Sequence, residues 1–189
     1  MARTGRRPGQ TQTRDDILAA ARSQFAARGY GGATIRAIAA EAGVNPALVH
    51  HFFGSKDQMF VVALGLPFNP ATLVDTIADG PRHEIAERVL RLFLGLWNDE
   101  RTRQPFLALI RSVASSPEIA AQLRQFMETV VLARIAAALD IPVLRLTAAA
   151  AHMMGLAMVR YILAAEPMAS ATDDEVIALV APVLQRYFD

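Results

Sequence analysis

The chain of 189 residues contains no cysteine. That excludes disulfides, a thiolate metal site and a cysteine nucleophile, and it suits a reducing cytoplasm, where the protein is expected to reside. Long apolar runs are also missing. The longest stretch of low polarity, Leu146 to Val159, contains His152, is bounded by Arg145 and Arg160, and is too short to span a bilayer. Arginines precede Ile17 but no apolar run does, so a secretory signal is not expected. The four histidines, His50, His51, His83 and His152, include no pair at i, i+3 or i+4. Glu84 and Glu87 share a helix face but are followed by Arg88, a pattern of solvated ion pairs. There is no glycine-rich phosphate loop, no G-x-S-x-G elbow and no Glu-x-x-His repeat. An enzyme, a metal site and a cofactor are therefore not expected. Strand-like alternation is absent too, and the expected fold class is all-α.

What is present is apolar and unevenly charged. Hydrophobic residues make up 53% of the chain, enough for one sizeable core or for a small module joined to a larger one. The net charge of +1 conceals an asymmetry: residues 1–56 hold eight Lys or Arg against three acids, and residues 57–189 hold eleven against fifteen. The N-terminal +5 has the sign an electrostatic footprint on phosphates requires. Arg3, Arg6 and Arg7 alone would also fit a basic tail without a role; Arg14, Arg22, Arg28, Arg36 and Lys56 are not explained that way. A membrane-surface role would need a Lys/Arg-rich polar helix face, and the first helix carries Asp15 and Asp16 instead, so no membrane partner is expected.

The stretch TIRAIAAEAGVNPALVHHFFGSK, Thr34 to Lys56, organises the N-terminal part. Thr34 can cap a helix whose Ile35, Ile38, Ala39 and Ala42 fall on one apolar stripe. Gly43 follows where the chain turns, and Val44 can plug the space between two helices. Asn45 is a good N-cap and Pro46 suits the first helical position, so a second helix starts within about three residues. Val49, Phe52 and Phe53 form its inward side, leaving Pro46, Ala47, Leu48, His50 and His51 mostly outward. Small apolar side chains, two histidines and no carboxylate suit a helix laid into a major groove.

Over these 23 residues the chain resembles the helix-turn-helix of the tetracycline-repressor (TetR) family of bacterial transcription regulators. The resemblance implies a three-helix DNA-binding unit, residues 13–56, after a flexible basic arm, residues 1–12. It also implies a helical effector-binding and dimerisation domain over residues 57–189, with about nine helices in all. Thr34, Arg36, Asn45, Pro46, Ala47, Leu48, His50, His51 and Lys56 are the residues expected at DNA. Family members usually carry a phosphate-touching tyrosine at the position of His50, whose ring N–H could take that role, more strongly when protonated.

Around this stretch, Thr13 is expected to cap a first helix ending at Gly29, with Ile17, Leu18, Ala21 and Phe25 buried. A fourth helix is expected over Asp57 to Leu66, stopped by Pro67. Further helices are expected at 83–98, 102–114, 117–139, 143–165 and 173–188, with loops at 67–82, 140–142 and 166–172. The helix at 143–165 is apolar nearly all round and is expected to be buried all round. Pro182 should bend the last helix and free the carbonyl of Ala178.

Small residues in the helix at 143–165 permit close approach of another helix. The resemblance implies that the last two helices pair with their symmetry mates, with Gly155, Ala157, Val176, Leu179, Val180, Val183 and Tyr187 as interface candidates. The residues alone leave open that both helices are simply core. Phe93, Trp97, Phe106, Ile110, Phe126, Met127, Met153, Met154 and Met158 should converge where family members bind a small effector, although such stripes also serve as plain core. Arg111, Arg134, His152, Arg160 and Tyr161 are the polar groups available there. The expected function is that of a homodimeric repressor that binds a pseudo-palindromic double-stranded operator and leaves it on binding a small, mainly apolar effector. A helical interaction or effector-binding protein whose helix-turn-helix is unused is the alternative.

Overall fold

The computed structural model describes residues 8–66 and 68–189, and among them the secondary structure is helical, without a strand. Arg3, Arg6 and Arg7 of the expected arm, and the expected stop at Pro67, lie outside the described residues. The chain divides into two compact units, one from Met1–Phe68 with Ala108–Phe126 and one from Asn69–Leu107 with Met127–Asp189.

The first unit contains α1 (Pro8–Gly32), α2 (Ile35–Glu41), α3 (Pro46–Phe53) and α4 (Lys56–Leu64), together with the C-terminal half of α7 (Glu100–Ser115) and α8 (Pro117–Phe126). Helix α1 starts at Pro8, earlier than the cap expected at Thr13, because proline suits a first turn whose N–H groups are unsatisfied anyway. Gly29 takes φ 67° and ψ 175°, so the regular helix does break there, and one further turn continues to Gly32. Helix α1 packs on α2, α4 and α8. Between them lies an aromatic cluster: the Phe60 ring meets Phe25 edge-on at 4.9 Å, Tyr30 at 5.0 Å and Phe126 at 4.6 Å. Phe25, Phe60 and Phe126 are at most 1% exposed, so each contributes about 1.5–3 kcal/mol of burial, with a further increment from the ring pairs. The Tyr30 hydroxyl donates to Asp57, and Arg22 donates to the Ala63 carbonyl at 3.1 Å, which ties α1 to both ends of α4. Arg22 thus has a task inside the fold, beyond the phosphate footprint its charge suggested.

The second unit holds α5 (Pro70–Ala78), α6 (Ile85–Asn98), the start of α7, a π-helical stretch Met127–Leu132, α9 (Ala133–Leu139), α10 (Val143–Ala157), a second π-helical stretch Met158–Ile162, and α11 (Asp173–Gln185). Helix α5 corrects the loop expected over 67–82. Pro70 reads as a breaker in sequence, yet it occupies the first helical position after Asn69, whose carbonyl accepts from Leu73 N–H at 3.0 Å. Including α5, ten helical runs occur among the described residues, against about nine expected. Helix α11 lies on α6, and α5 on α6 and α9. The side chain of Gln185 reinforces the first pair, accepting from Ala86 N–H at 3.1 Å and donating to the Arg82 carbonyl at 3.0 Å.

Helix α10 is the second correction. Its apolar circumference is not buried all round in the single chain: Leu156 and Ala157 are inside, but Met154 is 38% and Met158 41% exposed. The helix ends in π geometry at Ile162, short of residue 165, and α11 stops at Gln185, short of 188. Thr172 and Glu175 form a reciprocal capping box that starts α11.

Candidate nucleic-acid interface

Two short helices and the turn between them place the outward side chains. Thr34 caps α2 by accepting from Ala37 N–H at 3.1 Å, and Asn45 caps α3 by accepting from Ala47 N–H at 2.8 Å. Between the caps Gly43 takes φ 67°, the left-handed conformation that strains a side-chain-bearing residue, and Val44 N–H closes back onto the Ala39 carbonyl at 2.9 Å. Ile38, Ala39, Val49 and Phe53 are buried, which fixes how α2 and α3 are rotated about their axes. With that face fixed inward, Thr34, Arg36, Asn45, Pro46, Ala47, His50 and His51 are exposed and Leu48 is half-buried.

The charges divide into free and tethered. Arg36 is exposed, whereas the Arg14 guanidinium lies 5.2 Å from the centroid of the Phe53 ring. Lys56 lies half-buried at the start of α4, with Nζ 4.5 Å from the centroid of the Tyr30 ring and donating to the Gly31 carbonyl at 3.4 Å. Burial pushes its ammonium pKa down, and the nearby Asp57 partly opposes that. On the far side of the motif, Ser23 and Gln24 hold the Glu41 carboxyl below the usual range, and Gln24 donates to it at 2.5 Å. That carboxylate is thereby engaged by side chains of α1.

The residues expected around an effector do not all come together. Phe126 belongs to the aromatic core of the first unit, which also contains Ile110 and the exposed Arg111. In the second unit Trp97 gathers Phe93 at 6.0 Å, Phe106 at 5.3 Å and Tyr161, stacked at 5.2 Å with the planes 16° apart. Met127 and Met153 are half-buried, while Met154 and Met158 face outward beside Val159 and Ile162. Arg134 is exposed, and the His152 ring meets Tyr187 edge-on at 6.4 Å. A groove of about 470 Å³ bounded by Pro167, Met168, Glu175, Val176 and Leu179 contains none of the expected effector residues.

Next to Trp97 sits a polar network that sequence reasoning found only in part. The guanidinium of Arg160, a residue 8% exposed, donates to the Met168 carbonyl at 2.7 Å and to Asp173 at 3.2 Å. Asn98 donates to the other oxygen of Asp173 at 2.8 Å and accepts from the Tyr161 hydroxyl at 2.8 Å. Burial pushes the Tyr161 phenol pKa up. Arg160 and Tyr161 were visible as rare polar groups in an apolar helix, but Asn98 and Asp173 look in sequence like an ordinary helix end and start.

Of the seven interface candidates, Ala157, Val176 and Val180 are buried within the unit's own core. Gly155, Leu179 and Val183 are exposed, and Tyr187 is half-buried. Among the described residues no helix is long and apolar enough to cross a membrane, and no three acidic or histidine side chains gather as metal ligands would.

Two family models match the chain. One, described as "Bacterial regulatory proteins, tetR family", covers residues 17–63, and the other, "Tetracyclin repressor-like, C-terminal domain", covers residues 83–188. The HTH-type transcriptional regulator BetI of Brucella anthropi is 41% identical over 51 residues, 27% of this chain and 26% of that protein. BetI of Brucella suis matches to the same extent, so the match spans about a quarter of these curated relatives. A solved TetR-family regulator from Streptomyces coelicolor is 34% identical, with 97% of this chain and 98% of that one covered and a TM-score of 0.48.

Proposed function

Because the chain belongs to the TetR family of bacterial transcription regulators, we propose that it acts as a homodimeric repressor, released from a pseudo-palindromic operator by a small, mainly apolar effector. The observation that carries the DNA-binding part is the outward face of α3. Pro46, Ala47, His50 and His51 are exposed on a helix capped at its start by Asn45 and turned by its buried Val49 and Phe53. Such a helix presents small apolar groups toward thymine methyls at its N-terminal end and nitrogen-bearing rings one turn later. Arg36 at the edge of the motif supplies a sequence-independent attraction to phosphate.

Two-fold pairing is supported by the exposed apolar face of α10 and α11, where Leu179 is 66% and Val183 47% exposed. An isologous dimer would cover that face and set two recognition helices for half-sites about 34–36 Å apart. The apolar character of the effector is argued from the Trp97 cluster, whose rings offer stacking surface and whose polar neighbours already satisfy one another. Linkage requires the effector and the operator to weaken each other by the same factor.

Selection of bound duplexes from a random pool tests the reading. A recovered pseudo-palindrome with half-sites one helical turn apart is the expected result. Recovery of no duplex above background would leave a helical effector-binding protein that does not use its helix-turn-helix.

A further inference from the structure

His50 is exposed on α3, and its ring is hydrogen-bonded to the backbone. Its Nδ1 lies 2.9 Å from the carbonyl oxygen of Gly54, while Gly54 N–H donates to the His50 carbonyl at 2.8 Å. A carbonyl oxygen only accepts, so the proton of this hydrogen bond resides on Nδ1. In the neutral ring Nε2 then carries a lone pair and no proton. It is held outward, one turn beyond Pro46 and Ala47 on the same face. The Gly54 backbone, at φ 73° and ψ −66°, keeps its carbonyl at the end of α3 where the ring can reach it.

The DNA surface beside a recognition helix is mostly acceptor: phosphate oxygens, and N7, O6 and O4 atoms on the base edges. A lone pair aimed at such a surface is repelled, so the neutral ring makes no productive contact there. Adding a proton to Nε2 turns the same nitrogen into a charged donor without moving the ring. From this tautomer lock we infer that His50 is a proton-dependent phosphate contact, so that operator binding takes up a proton at each recognition helix. The inference rests on the DNA-binding reading above and adds to it a condition on the solution.

Few neighbouring charges compete for the ring. On the elements packed against α3, Glu41 of α2 is engaged by Gln24, and Asp57 of α4 by the Tyr30 hydroxyl. Lys56 of α4 lies over the Tyr30 ring, and Arg14 of α1 lies over Phe53. Arg36 of α2 and His51 of α3 are exposed. A phosphate favours a positive charge on the ring, so protonation and binding reinforce each other.

The test uses the full chain and an operator duplex recovered by selection, with affinity measured at fixed salt between pH 8 and pH 6, the interval in which imidazoles change charge. Wild-type affinity should rise about tenfold or more on acidification, as one charge-assisted hydrogen bond is gained at each recognition helix. The slope of log affinity against log salt should also steepen by about one for each recognition helix. His50→Gln should lose both effects, and His50→Tyr should give a flat profile with affinity at pH 8 no lower than wild type, because a phenol donates at every pH used. His83→Gln, in the second unit and outside the helix-turn-helix, should keep the wild-type profile, and circular dichroism checks that each variant is folded. A wild-type profile shared by His50→Gln, or affinity that falls on acidification as it would if Nε2 accepted from a base amino group, overturns the assignment. Absence of specific binding at every pH would instead sink the DNA-binding reading itself.

Discussion

In the first unit Phe25, Phe60 and Phe126 are at most 1% exposed, and the outward side chains of its helix-turn-helix are small or polar. The second unit buries Trp97 and Leu184 equally well but leaves Leu163 and Leu179 66% exposed, and Met154, Met158, Val159, Ile162 and Val183 are exposed as well. Every large apolar side chain that the described residues leave exposed lies in that second unit. A surface of this kind is a liability for a protein that stays alone and an asset for one that pairs. On the function proposed above, the contrast assigns the two units to different partners: a wet, cationic surface suits DNA, and a dry one suits a copy of the same chain.

The sharpest way to break that comparison is to put the wrong chemistry on the DNA-facing side. Leu48→Glu aims a carboxylate at phosphates and should reduce operator affinity to the non-specific level, a loss of about 10³-fold or more, with helical circular dichroism unchanged. Retained operator affinity, read by fluorescence anisotropy, would show that α3 does not enter the groove. Next in size is the interior of the same unit. Phe60→Ala removes the ring that Phe25, Tyr30 and Phe126 all touch, and should cost about 3–5 kcal/mol of stability in chemical denaturation.

A smaller and more selective effect is expected on the dry face. Val183→Asp changes a side chain 47% exposed in the single chain, so the subunit should fold as before. Burying the new charge between two copies should weaken pairing by about 2 kcal/mol or more, visible as monomer by light scattering. A wild type that is already monomeric at micromolar concentration would remove the pairing argument. Ala157→Glu is a poorer probe, because Ala157 is fully buried in its own subunit. The smallest effect is local: Ser55→Ala deletes the cap that accepts from Gln58 N–H at 3.1 Å and should cost about 1 kcal/mol without altering either surface.

How legible these features were in the sequence depends on how locally each was encoded. The turn between α2 and α3 was fully readable, because Thr34, Gly43, Asn45 and Pro46 each act on the backbone within two or three residues of themselves. The α-helical class followed from periodicity in the same way. Helix α5 was not found, since Pro70 carries the same letter whether it ends a helix or begins one. The spacing of Phe126 suits an effector cavity and the first unit's core equally, and only the fold places it against Phe60. The network of Asn98, Tyr161, Arg160 and Asp173 joins residues up to 75 positions apart, and no local pattern announces such a pairing. The tethering of the His50 ring to Gly54 was hidden for a related reason, as it depends on where the backbone angles of Gly54 place its carbonyl, and the sequence does not give those angles.

Trp97 is the chain's single tryptophan, 1% exposed and stacked 5.2 Å from Tyr161. Its indole emission should therefore be blue-shifted, and it should report on the second unit alone, since the aromatic cluster of the first is built from phenylalanine and tyrosine. Optical melting excited at the red edge would follow one half of the molecule while far-ultraviolet dichroism follows both. Any compound that enters beside the Phe93, Trp97 and Phe106 rings should announce itself by quenching, so an effector search needs no attached dye.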